Sequence, residues 1–102
     1  MTLLALDVGT SSVRAQRFDE RGEAAGELRR EEYEAGDPAE VAAAVRRVIA
    51  EEEADATSCF AHSLVAVDEH WNALTPILGW RDTRSAAAAE WLARRLDAHA
   101  VH

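Results

Sequence analysis

The feature that most constrains this chain is its opening run, Leu3-Leu4-Ala5-Leu6-Asp7-Val8-Gly9-Thr10-Ser11-Ser12-Val13-Arg14. Four apolar residues, one carboxylate, a Gly-Thr-Ser-Ser bend and a second β-leaning segment bearing a cation predict strand, tight turn and strand. Such a hairpin suits phosphate. Gly9 is expected to take a backbone conformation closed to other residues, so that main-chain N–H groups and the Thr10, Ser11 and Ser12 hydroxyls converge on an anion. Asp7, at the end of a buried strand, repels a phosphate at close range and needs a cation between them. Mg²⁺ is the natural choice, because it accepts carboxylate, water and phosphate oxygens together. Asp-x-Gly-Thr also occurs as a plain β-turn whose Asp accepts from turn amides, a reading that leaves Arg14 without a role.

A chain of 102 residues accommodates one domain (1–102) able to bury roughly two thirds of its unfolded surface. No apolar run approaches the ~20 residues of a membrane span, no signal peptide is evident, and the cytoplasm is the expected compartment. The single cysteine, Cys59, excludes an internal disulfide, and beside Phe60 it reads as a small buried hydrophobe. Nineteen acids oppose 11 bases, all arginine, for a net charge of −8. That balance disfavours nucleic acid and anionic membranes, since the arginines are scattered in ones and twos.

Along the chain, a strand from Val13 to Asp19, a turn at Glu20-Arg21-Gly22 and a third strand from Ala24 to Tyr33 are predicted. The charged Arg29 to Glu32 suit a wet edge strand. Asp37-Pro38-Ala39-Glu40 then opens a helix, with an N-cap, a proline at the first helical position and an acid three residues after the cap. Val41, Val45, Val48 and Ile49 share one face and predict packing against a sheet. A strand over Thr57 to Ala61, a hairpin-like turn between Asp68 and Leu74, and a last helix follow. Ala88, Leu92 and Leu96, with Trp91 beside them, supply that helix's stripe, and Asp82 or Ser85 its cap.

A second chemical stretch is Ser58-Cys59-Phe60-Ala61-His62-Ser63 with the later Trp80-Arg81-Asp82-Thr83-Arg84. A histidine past a strand end and a tryptophan plate beside a carboxylate are groups that bind polyols. The same residues also read as a hydrogen-bonding histidine, a core tryptophan and a helix cap with its surface partner.

The string LDVGTSSVRAQRFDERGE resembles the N-terminal phosphate loop and first hairpin of the FGGY family of carbohydrate kinases. Ala61-His62-Ser63 and Trp80-Arg81-Asp82-Thr83-Arg84 resemble the family's sugar-pocket segments, in the same order, and look most like the gluconate kinase branch. The resemblance implies an α/β, actin-like (ribonuclease H-like) N-terminal domain: a mixed sheet with three antiparallel first strands and flanking helices. It implies a phosphate hairpin at 3–19 and sugar-wall segments at 58–68 and 74–85. Gly9, Thr10, Ser11, Ser12 and Arg14 would face the phosphates of ATP, Asp7 would hold Mg²⁺ through water, and His62, Trp80 and Asp82 would touch a sugar or sugar acid.

There are departures from the family pattern. Glu51 to Asp55 run almost directly into Thr57, as though residues were missing, and Trp71-Asn72 replaces a glycine-containing turn. Family members are several times longer, and their general base lies beyond the matched region. The expectation is therefore the first part of a sugar kinase, from a shortened reading frame or a piece of a longer protein, with no catalytic base of its own and inactive alone. The alternative is a non-catalytic remnant that forms a homodimer through the surface the rest of the kinase would cover. Another actin-like ATPase, an acetate kinase or chaperone relative, is disfavoured by the Trp-Arg-Asp-Thr-Arg segment.

Overall fold

The computed structural model describes residues 1–34 and 36–97. β1 (Leu3–Val8) and β2 (Ser12–Phe18) form an antiparallel hairpin with Val8 opposite Val13, Asp7 opposite Arg14 and Leu6 opposite Ala15. Side chains alternate across a strand, so Leu4, Leu6 and Val8 share one face with Val13 and Ala15. All five are buried, and Asp7 and Arg14 take the opposite face. β3 (Arg29–Glu32) lies antiparallel to β2, and β4 (Ala56–Cys59) lies parallel to β1, giving the order β3-β2-β1-β4.

α1 (Pro38–Ile49) covers the apolar face, packing on β2 and β3. Its start is built as the sequence indicates: the Asp37 side chain accepts from the Ala39 N–H at 2.9 Å, and Pro38 opens the helix. Ala44 and Val48 complete the core with Tyr33, while Val41, Val45, Ile49, Ala54 and Phe60 pack around it. Each buried Leu or Val contributes about 1.5–3 kcal/mol of transfer free energy, so this small cluster carries most of the fold's stability. Asp55 pins the parallel edge by accepting the Leu4 N–H at 2.8 Å, while its own N–H donates to the Leu4 carbonyl at 2.9 Å.

Several sequence expectations are corrected. The third strand is Arg29–Glu32 and not 24–33, because Gly26 turns at φ 96° and only a single Phe18–Ala24 bridge precedes it. The fourth strand is Ala56–Cys59, one residue earlier at its start and two shorter at its end than predicted. Cys59 is exposed, since β4 is the outer strand of the sheet. α2 (Ala86–Ala93) forms without burying any residue: Trp91, Leu92 and Leu96 are exposed, and Ser85 makes no side-chain cap bond. Where the sequence is short after the first helix, Ala50 and Glu51 both take left-handed backbone, at φ 51° and 64°. Trp71, standing in place of a turn glycine, does the same at φ 65°.

Candidate functional site

The β1–β2 turn is held in a specific shape by three contacts. Gly9 N–H donates to the Ser12 carbonyl at 2.9 Å, Tyr33 N–H donates to the Ser11 carbonyl at 3.0 Å, and the Tyr33 hydroxyl donates to the Gly9 carbonyl. Gly9 is needed here, but not for the reason expected. It lies outside the left-handed region; instead, a Cβ would sit 3.0 Å from the Ser12 carbonyl oxygen and 3.5 Å from the Arg14 guanidinium. The N–H groups of Thr10 and Ser11 find no protein acceptor among the described residues and stand at the exposed tip. Adjacent free N–H groups of this kind make an anion-binding concavity.

Thr10 and Ser11 open on one side into a cavity of about 660 Å³, shared with Phe60, Ser63, Trp80, Arg81 and Asp82. The tip of the predicted phosphate hairpin and the predicted sugar-wall segment thus line one space. On its other side Ser11 borders a cleft flanked by Glu32, Glu34 and Glu40. Those three carboxylates repel a phosphate, so an anion at the tip is directed toward the Trp80 side.

The Trp80 ring is 66% exposed, and the Arg81 guanidinium stacks on it at 5.0 Å. Arg81 makes no ion pair among the described residues. Asp82 does not cap the last helix. Its carboxylate accepts the Arg84 backbone N–H at 3.0 Å and the Arg84 Nε–H at 2.9 Å. The Arg84 backbone N–H first, and then its side chain, hold the Asp82 carboxyl below the usual carboxylate range.

Not every predicted site residue joins this cavity. His62 is exposed and turned by a φ of 57°, and the lining takes Ser63 from that bend, not His62. Ser12 is buried at the start of β2, away from the exposed tip. Asp7 and Arg14 form an ion pair at 2.8 Å and line a separate cleft of about 310 Å³ with Gln16 and Ser58, on the sheet face opposite α1. Arg14 lies against Gly9, which links the pair to the loop. Both side chains are about half exposed, so the bridge itself adds little stability.

Sequence reasoning missed Tyr33, Ser63 and Arg81. Tyr33 carried a signal of a kind, as the one aromatic residue at the end of a charged strand; its contact with a loop 24 residues earlier carried none.

No family model matches the chain, and no curated protein matches it in sequence. Solved structures do. A xylulose kinase from Rhodospirillum rubrum superposes with a TM-score of 0.80 at 18% identity, over 98% of this chain and 25% of that one. A xylulose kinase from Brucella ovis matches with a TM-score of 0.74 at 28% identity, over 90% of this chain and 23% of that one. A gluconate kinase from Lactobacillus acidophilus matches with a TM-score of 0.74 at 20% identity, over 92% of this chain and 22% of that one. The chain therefore spans about a quarter of the length of the kinases it matches. By its sheet order and by these likenesses, the chain has the actin-like fold of sugar kinase N-terminal domains, and the resemblance to the FGGY carbohydrate kinases read in its sequence is borne out.

Proposed function

We propose that this chain supplies the phosphate hairpin and part of the acceptor wall of an ATP-dependent carbohydrate kinase, with a gluconate-like sugar acid as acceptor. One observation carries this reading: Thr10 and Ser11, whose N–H groups have no protein acceptor among the described residues, line one cavity with the Trp80–Asp82 segment. Phosphoryl transfer needs donor phosphate and acceptor hydroxyl brought together with the charge neutralised, and that cavity is where both would meet.

Each residue then has a task. Thr10 and Ser11 bind phosphate oxygens through main-chain N–H groups and hydroxyls. The Asp7 carboxylate fits Mg²⁺ as an outer partner: Arg14 takes its Oδ2, and Oδ1 would hold the ion through water. Mg²⁺, when bound, neutralises the phosphates. The Trp80 face receives the apolar side of the carbohydrate, and Asp82 accepts from its hydroxyls. Arg81, which has no ion pair among the described residues, suits the carboxylate of a sugar acid and favours such an acceptor over a neutral sugar. Asp82 binds through a carboxylate already held in place by the Arg84 backbone N–H and Nε–H.

Isothermal titration of Mg-ATP and of gluconate into the chain tests the proposal. Heats for both are expected at millimolar ligand, with the first weakened by Asp7→Ala and the second by Trp80→Ala. Silence from both ligands overturns it.

A second reading, a non-catalytic module that forms a homodimer, is favoured by the bare edge of β4 and the exposed Leu64, Trp71 and Leu74. Sedimentation separates the two: a dimer that binds neither ligand supports the module.

A further inference from the structure

The Ala61-His62-Ser63 stretch does not reach the cavity through the histidine that the family resemblance singles out. Leu64 and Leu78 exchange both backbone hydrogen bonds: Leu64 N–H donates to the Leu78 carbonyl at 3.0 Å, and Leu78 N–H donates to the Leu64 carbonyl at 2.8 Å. In an antiparallel ladder the pair beside such a closed pair, here Ser63 with Gly79, brings the two backbones close and puts both side chains on one face. Ser63 Oγ accordingly lies 3.7 Å from where a Gly79 Cβ would stand. Gly79 has none, so the hydroxyl sits over bare backbone.

Both residues line the cavity of about 660 Å³ that holds Thr10, Ser11 and the Trp80–Asp82 segment. Ser63 is half-buried there, whereas its neighbours His62 and Leu64 are exposed and lie outside the lining. The register accounts for Leu64, since successive side chains of an extended segment take opposite faces. His62 is turned out by its left-handed backbone, at φ 57°. The Ser63 hydroxyl is also uncommitted. Its one protein contact among the described residues is the Ala61 carbonyl at 3.5 Å, the far limit of a hydrogen bond. A serine hydroxyl both donates and accepts, whereas the Arg81 guanidinium only donates and the Asp82 carboxylate only accepts. The hydroxyls of a polyol also do both.

We infer that Ser63, not His62, is the acceptor-binding residue of this stretch: its hydroxyl exchanges a hydrogen bond with a hydroxyl of the carbohydrate, and Gly79 keeps it uncovered. This rests on the acceptor-wall reading proposed above and adds to it a binding residue and the small neighbour that exposes it.

An NMR titration with gluconate, followed at the Trp80 indole N–H, compares three variants with the unmodified protein. Ser63→Ala, which removes the hydroxyl and little volume, is expected to weaken gluconate binding about fivefold, the worth of one neutral hydrogen bond. Gly79→Ala leaves Ser63 in place and sets a methyl group beside its hydroxyl at ordinary contact distance, so a loss of roughly twofold or more is expected. His62→Gly removes the imidazole and suits the left-handed backbone, and gluconate affinity is expected to stay as it was. Magnesium tripolyphosphate, which needs only the hairpin tip, is expected to bind all three variants alike.

Unchanged gluconate affinity in Ser63→Ala, or a loss in His62→Gly as large as that in Ser63→Ala, overturns the inference and leaves the acceptor-wall reading standing. If the unmodified protein binds no gluconate, both fall. The Leu64 and Leu78 amide shifts are expected to stay in place in Ser63→Ala; should they move, Gly79→Ala decides, and full gluconate affinity in that variant overturns the inference.

Discussion

At the scale of single residues, the backbone positions that break local rules are the ones with the clearest consequences. Gly9→Ala places a methyl group 3.0 Å from the Ser12 carbonyl oxygen, which belongs to the backbone and cannot swing away. Overpacking of that kind is expected to cost about 1–3 kcal/mol in urea unfolding and to weaken anion binding at the tip. Trp71 presents the reverse case. It is 85% exposed and held at φ 65°, so Trp71→Gly relieves left-handed strain without removing a packed side chain. A gain of roughly 0.5–1 kcal/mol is expected, and a loss would show that the indole makes a stabilising contact.

Asp82 gives a pH prediction. Its folded-state pKa is depressed, so its bonds to Arg84 stabilise the turn above the ordinary carboxylate value and are lost as pH falls through the lower folded value. In an NMR titration its midpoint should lie below that of an unperturbed aspartate. Arg84→Ala should restore only part of the shift, because the backbone N–H is the larger cause. The sequence exposed Asp37 as a cap because capping is local, with donor and acceptor two residues apart. It pointed equally to Asp82 as a cap, and there the chain's own Arg84 won. Tyr33 was illegible for the opposite reason, since its partner, Gly9, is distant along the chain.

Among the elements, β1, β2 and α1 were legible because their apolar periods agree with their partners, so local pattern and burial point the same way. The third strand was overextended, since the charged Arg29 to Glu32 suit an edge strand, and only the backbone shows that Gly26 turns the chain before them. α2 shows the limit of pattern reading. Its alanines favour helix strongly, but eight residues without a packed face are marginal in water. Hydrogen exchange should therefore protect Leu4, Leu6 and Val8 of β1 far better than any amide of α2. Equal protection in α2 would mean that it docks on a surface, contrary to its full exposure.

For the whole molecule, the radius of gyration is 17.5 Å, with extents of 52 × 30 × 25 Å, where a compact chain of this length would have about 13 Å. Among the described residues after Phe60 none is buried, so this part of the chain adds no compact core. Leu64, Trp71, Leu74, Trp80, Trp91, Leu92 and Leu96 are all exposed. Among the described residues no helix is long and apolar enough to cross a membrane, so these side chains are not accounted for by a span. A surface of this kind is expected to bind a hydrophobic dye and to make the sedimenting mass rise with concentration. Constant monomeric mass would remove the homodimer reading.

The phosphate hairpin was legible in the sequence as a string; its orientation toward Trp80 was not, because that depends on how a later loop folds back across the sheet end. The most direct measurement is an amide and indole NMR titration with magnesium tripolyphosphate. The account predicts concerted shifts at Thr10 and Ser11 and at the Trp80 indole N–H, with β3 unmoved. Shifts confined to other surfaces, or none at millimolar ligand, would contradict it.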